Sequence, residues 1–239
     1  MQDIFVGDIG DYGKYGLLRA VCAESLSLSI NWYRVFPGKE HQRADGKFTS
    51  YLSKPQLYRG YDPALFDSLH KILMVENNRK IERIEQEGIL KAAYFSEEIG
   101  SQRTAWHEKA LEQTKGTEVV FLDPDNGLES DNMYRSDGFT NKHVRWTELK
   151  DYYDRGQNVI VYQHRPKMTT KEKCIENMLH IQNSFLHADS IRILEFPKCT
   201  NRFYAMYIHR NYEIAFERVC DWMSSKWGKD NFCREVILN

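Results

Sequence analysis

The sequence predicts an α/β fold with a mostly parallel central sheet, an antiparallel edge strand and helices on both faces. Three observations predict it. The runs Val119-Val120-Phe121-Leu122 and Val159-Ile160-Val161-Tyr162 are short and uninterrupted, as in strands covered on both faces. Segments of helical periodicity lie between them, the pattern of parallel strands joined by crossover helices. The last two apolar runs, Ile191–Leu194 and Phe203–Ile208, are too close for a crossover helix and are expected to pair antiparallel.

From the N-terminus, Leu17, Leu18, Val21, Cys22 and Leu26 recur at helical spacing, which predicts a helix over 14–26. The aromatic and β-branched run Ile30–Phe36 reads as a strand closed by Pro37-Gly38. Residues 37–60 are polar and glycine-spotted, as in a long loop. Asp62-Pro63 starts a helix carrying Leu65, Phe66, Leu69 and Ile72. A charged helix is expected over 77–87, so 37–91 reads as a helical and loop insertion within one domain spanning 1–239. Ala92–Phe95 is a short apolar run. Helices are then expected at 103–114, 146–155, 170–186 and 212–227, between and after the four strands already named. Ligands of such a sheet bind beyond the carboxyl ends of its strands. That rim carries Pro37-Gly38, Asp123-Pro124-Asp125 and Gln163-His164.

A chain of 239 residues that is 41% hydrophobic can bury one sizeable core. Abundant aromatics exclude a disordered chain. Charges nearly cancel, to a net −1, which excludes a uniformly basic nucleic-acid binder but leaves room for a local basic patch. Met1–Phe5 has neither the basic nor the apolar region of a signal peptide. No apolar run approaches the roughly 20 residues of a membrane span, so no membrane partner is expected. The five cysteines, Cys22, Cys174, Cys199, Cys220 and Cys233, are scattered and form no C-x-x-C pair. They read as reduced thiols of a cytoplasmic protein.

Three segments carry groups suited to chemistry. Gly7-Asp8-Ile9-Gly10-Asp11-Tyr12-Gly13-Lys14-Tyr15 joins glycines, two carboxylates and a lysine ahead of a helix. Free N–H groups at a helix start suit an anion; the plainer reading is a turn with Asp11 as the helix cap. Asp123-Pro124-Asp125-Asn126-Gly127 follows a buried strand, so the Asp123 carboxylate is expected to face the crevice and to matter little for stability. The plainer reading is a tight turn with two solvated acids. Tyr162-Gln163-His164-Arg165-Pro166-Lys167 follows the next strand, with His164 as a general base or a phosphate contact. Arg103–His107 is a weaker candidate for the pocket wall. Asp8, Asp11, Lys14, Asp123, Asp125 and His164 are expected to line one pocket.

The first segment resembles the N-terminal motif of the 23S ribosomal RNA adenine-N6 methyltransferase family, which reads G-N-x-A-D-x-x-K-H. Gly7, Asp11 and Lys14 match it; Asp8 stands for Asn, Gly10 for Ala and Tyr15 for His. Asp123-Pro124-Asp125-Asn126 is similar to the family's D-P-P-Y motif, without its second proline and its aromatic. The order of elements also agrees. The resemblance implies a Rossmann-like, methyltransferase-like sheet, S-adenosylmethionine as cofactor, and an adenine-type amine in nucleic acid as acceptor. It assigns Gly7, Asp8, Asp11 and Lys14 to the cofactor. Catalysis falls to Asp123, Pro124, Asp125 and His164, with Asp123 and the Pro124 carbonyl holding the amine. Tyr162 or Tyr134 would stack on a flipped base, and Lys14 and Arg19 would meet phosphate. No G-x-G loop follows the strand at Ile30–Phe36; Pro37-Gly38 and Asp45-Gly46 stand in its place.

Two other readings compete. Asp123, Asp125 and Glu129 are hard oxygen ligands suited to Mg²⁺, as in a metal-dependent nuclease or phosphodiesterase, with His164 or Lys142 assisting. The third is a non-catalytic nucleic-acid or partner-binding module on the same sheet.

Overall fold

The computed structural model describes residues 1–35, 48–136, 138, 140–199 and 201–238. Pro37-Gly38, Asp45-Gly46 and the first part of the expected insertion lie outside them.

Helix α1 (Ile9–Ala23) begins ahead of the apolar run that predicted it, because Asp8 caps it and the glycine segment is already helical. Strand β1 (Leu28–Asn31) leaves the sheet before the expected run of Tyr33 to Val35. Asn31 Oδ1 accepts the Tyr33 N–H at 3.1 Å, and Tyr33 turns to φ 46°, which ends an extended segment. Three helices follow: α2 (Pro55–Tyr58), α3 (Pro63–His70) and α4 (Ile81–Gln86). Asp62 caps α3 as its Asp-Pro pair predicts, accepting the Leu65 N–H. The charged helix expected over 77–87 is shorter, and a π-helical turn at Lys71–Val75 precedes it.

The remaining elements are β2 (Ala92–Phe95), α5 (Arg103–Gln113), β3 (Val119–Leu122), β4 (Gly127–Leu128), α6 (Asp131–Ser136), β5 (His143–Val144), α7 (Trp146–Asp154) and β6 (Asn158–His164). They continue with α8 (Lys171–His180), β7 (Ser190–Phe196), β8 (Arg202–Ile208), α9 (Glu213–Lys226) and β9 (Arg234–Glu235). The helix expected over 170–186 is thus α8 plus a π-helical turn at Ile181–Leu186. Gln163 and His164, read as following the strand, lie inside β6 and face Phe203 and Arg202 of β8.

Among the described residues, seven strands form the central sheet, in the order β2-β1-β3-β6-β8-β7-β9, while β4 and β5 pair separately. β2, β1, β3 and β6 run parallel, with β3 beside β6 as expected. β8 runs against both β6 and β7. The sheet is therefore mixed, and β8, the strand expected at its antiparallel edge, lies inside it, while the edge strand β9 runs antiparallel to β7. Every residue of β8 is buried, so the strand is covered on both faces and paired on both sides. The edge falls to β9, whose two residues are charged, which suits an exposed edge.

Side chains alternate across this sheet, as a two-residue period requires. Val119 and Phe121 of β3 pack beneath α1, α3 and α9, with Leu17, Leu69, Met223 and Trp227. Val120 and Leu122 pack on the other face, against α5, α7 and α8, with Trp106, Leu149 and Met178. Burying each large apolar side chain contributes about 1.5–3 kcal/mol, which is why the uninterrupted runs take the centre of the sheet. Among the described residues no helix is long and apolar enough to cross a membrane.

Candidate functional site at the carboxyl ends of the parallel strands

Where β3 ends, the Asp123 N–H donates to the Asn31 carbonyl at 3.0 Å, carrying the ladder one residue past the strand. The carboxylate does not face an open crevice. Asp123 is 3% exposed, and its Oδ2 lies 2.7 Å from Nζ of Lys14, itself 2% exposed. The same Nζ lies 2.7 Å from Asp11 Oδ1. Asp11 Oδ2 accepts from the Gly7 N–H and the Tyr15 hydroxyl. Two segments 109 residues apart thus meet in one buried ion cluster. The expectation of a crevice-facing, energetically neutral Asp123 fails because α1 lies over β1 and β3 and sends Lys14 down to the strand end.

The α-amine of Met1 extends the cluster. It donates to the carbonyls of Trp32, Tyr33 and Asp123 at 2.8–3.0 Å and lies 3.2 Å from Asp125 Oδ1. The Gln2 amide donates to the other oxygen of Asp125. Burial alone would discharge Lys14, but Asp11 and Asp123 outweigh it and raise its pKa above the ordinary lysine value. Burial pushes Asp123 up, against the pull of Lys14 and the α-amine. Burial and Asp11 likewise raise Asp8, with Arg202 opposing.

The glycine segment is built for packing. Asp8 Oδ1 accepts the N–H groups of Gly10 and Asp11, and the Ile9 N–H goes to the Phe48 carbonyl. Asp8, not Asp11, is the cap, and these donors are already spent within the chain. Gly10, Gly13 and Gly16 form a stripe where α1 approaches its neighbours. An added Cβ would meet Arg202 Nη1 at 0.9 Å, Phe196 at 2.8 Å and Trp227 at 2.3 Å, respectively.

A second group sits at the end of β6. Tyr162 and His164 face Tyr204 and Arg202 across the β6–β8 pair. Arg202, 5% exposed, lies 3.8 Å from Asp8 Oδ1. Burial pushes the Tyr162 phenol up to about 12, with Arg202, Asp8, Asp123 and Lys14 all acting on it. Tyr162 thus lies within electrostatic reach of both groups. Burial lowers the His164 pKa, and Arg202 and Arg165 lower it further. Gln163 braces the strand-end loop: Oε1 accepts the Leu128 N–H, and Nε2 donates to the carbonyls of Asn126 and His164. Gly127 has φ 118° and no room for a Cβ, which would come within 2.5 Å of Gln163.

The fold thus puts Asp11, Lys14 and Asp123 in direct contact and joins Asp125 to them through Met1. Asp8 lies toward His164 by way of Arg202, and Pro124 is buried. Gln2 and Arg202 were missed by the sequence reading. Arg202 had one signal, a lone cation opening an otherwise apolar strand. Of the two cations expected at phosphate, Lys14 is enclosed, and Arg19 is bound to Asp62 and the Ile89 carbonyl. Of the two stacking candidates, Tyr134 lies on the other face of the sheet, stacked on Trp146 at 4.6 Å. Arg103 is held by Glu148 in a buried two-point ion pair, an internal brace of α5 against α7.

Each of the three carboxylates proposed for Mg²⁺ is bound within the chain. Asp123 binds Lys14, and Asp125 binds the α-amine and Gln2. Glu129 Oε1 accepts the Trp146 N–H at 2.6 Å, at the start of α7. Among the described residues no group of three His, Cys, Asp or Glu side chains is placed to hold a metal ion. These three acids do not fit the metal. The chain defines an α/β protein with a buried charge cluster at its strand ends. No protein-family model matches it, and no curated protein matches it.

Proposed function

We propose that the chain is a methyltransferase-like protein that takes an amine-bearing nucleobase of nucleic acid at the Asp123-Pro124 strand end, with S-adenosylmethionine as methyl donor. The observation that carries this reading is the 2.7 Å Lys14–Asp123 ion pair, which joins the two segments that resemble the methyltransferase motifs. The order of elements supports it in part: the strand after β7 runs antiparallel, as the resemblance implies, although it lies between β6 and β7 and not at the edge. The cofactor would supply the methyl group. The Asp123 strand end, closed over by Lys14 in this structure, would have to open to the base; Asp123 and the Pro124 carbonyl would then accept from the amine, and Tyr162 would stack on the base. Asp11 and Lys14 hold Asp123 in place; with their polar atoms matched inside the chain, their role is to shape the wall.

The test is S-adenosylhomocysteine binding. Binding to the folded state raises the melting temperature, with a stabilisation of about 2.7 kcal/mol at a hundredfold excess over Kd. Calorimetry that finds no binding at millimolar ligand removes the methyltransferase reading. The alternative it promotes is a non-catalytic nucleic-acid-binding module, which the internally spent N–H groups of α1 favour.

A further inference from the structure

The cations first expected to meet phosphate are spent inside the chain, yet a different set stands at the same rim. His164 ends β6, and Arg202 faces it on β8. Arg165 follows at once, its N–H donating to the Asn201 carbonyl and its Nη1 to the Thr169 carbonyl. The first bond ties the loop to the residue before β8, and the second closes the 165–169 loop on itself. Lys167 on that loop is exposed, and so is Met168 beside it, at 97%. Lys171, further on, is engaged by Glu195 at 2.6 Å, and Arg202 is partly balanced by Asp8. Within the described stretch 164–171, Arg165 and Lys167 are the cations not paired with a carboxylate. Arg202, which faces His164 on β8, and Arg165, the next residue, are the two charged neighbours that add to burial in lowering the imidazole pKa.

We infer that His164, Arg165 and Lys167 form a phosphate subsite beside Tyr162, which holds the backbone of a single-stranded nucleic acid whose base is directed toward the Asp123 strand end. The inference rests on the nucleobase reading of the crevice but not on the methyl donor. Phosphate contacts position a strand without reading its sequence. Lys167 and Arg165 supply charge, and His164 supplies a ring N–H donor. An aromatic platform next to cations is the usual composition of a single-strand site.

The experiment uses the full chain and a fluorescein-labelled single-stranded oligonucleotide, followed by anisotropy over a salt series. Arg165→Ala with Lys167→Ala should weaken binding and flatten the salt dependence, by about 1.4 in slope for two lost contacts. Lys167→Glu, at an exposed position, should weaken binding by itself with an unchanged melting temperature. The imidazole signal of His164, followed by NMR, should titrate at higher pH once the oligonucleotide is bound. Inorganic phosphate and AMP are the comparison arms. A shift as large with either as with the oligonucleotide means that the site takes a free phosphate and overturns the single-strand reading. Unchanged affinity and slope in both variants, or an unmoved His164 signal, overturns the subsite. Oligonucleotide binding that needs these residues, in a chain that binds no S-adenosylhomocysteine, keeps the subsite and sinks the methyl-transfer reading alone.

Discussion

Asp123 follows four apolar residues of β3, and by position alone it is an exposed turn acid. Its burial against Lys14 changes what a substitution does. Asp123→Asn leaves a buried ammonium with Asp11 as its one remaining carboxylate. Breaking a buried pair from one side costs about 3–5 kcal/mol, and Asp11 keeps the loss near the lower end, about 3 kcal/mol. Adding Lys14→Met removes the stranded charge, so the double variant should be more stable than the sum of the singles predicts. Urea unfolding of the two singles and the double checks this. An Asp123→Asn midpoint equal to that of the parent would mean that the pair contributes nothing. Activity assays on this variant must be read beside its stability, since the same side chain serves both.

At the scale of elements, α1 holds a conflict that the structure resolves. Gly10, Gly13 and Gly16 lower helix propensity, by roughly 1 kcal/mol each relative to alanine. They are kept where α1 closes on Arg202, Phe196 and Trp227. Gly16→Ala gains propensity but drives a methyl to 2.3 Å from the buried Trp227 ring. Overpacking of this kind costs about 1–3 kcal/mol, so a net loss is expected. Gly60→Ala, with nothing within 4 Å of the added carbon, should be neutral or slightly stabilising. Equal midpoints for Gly16→Ala and Gly60→Ala in urea would show that the stripe is not tightly packed. The same helix shows why the glycine segment misled. A phosphate-cradling loop and a close-packed helix face both need residues without a Cβ, and only the neighbours distinguish them.

For the whole molecule, the buried titratable groups set how stability depends on pH. Burial, the largest cause, raises the phenols of Tyr15, Tyr33, Tyr51 and Tyr204 well above the ordinary value of 10.0. Lys14 is raised above 10.5 by its two carboxylates, against its own burial. In each case the folded state binds more protons than the unfolded chain once pH passes 10. Stability is then full below pH 10 and falls as pH rises through the folded values. The acid side has opposed signs. Asp8, Asp123 and Glu129 are raised by burial, so each favours the folded state more at low pH. Glu195 is lowered by Arg234 and Lys171 in spite of burial, so its contribution is present above 4.5 and lost as pH falls. Urea midpoints taken from pH 4 to 11 should show a steep alkaline limb and a shallow acid one. A flat profile between pH 9 and 11 would contradict the burial of the tyrosines and Lys14.

Local pattern was enough for the α/β class, for the identity of most helices and strands and for the segments worth watching. Periodicity and strand length are written within each stretch of ten or so residues. It also supplied the antiparallel pairing of β7 with β8, because the short link between them permits nothing else. Strand ends were less legible: Asn31 stops β1 through a side-chain bond to its own backbone, against the extended preference of the residues that follow. Tertiary structure alone decided that β8 lies inside the sheet, that Lys14 reaches Asp123, and that Glu129 serves Trp146. It also decided that Arg202 stands between Asp8 and His164. These are pairings between residues far apart in the chain. Their energy comes from shared burial and opposite charge, and neither exists until the helices have closed over the sheet.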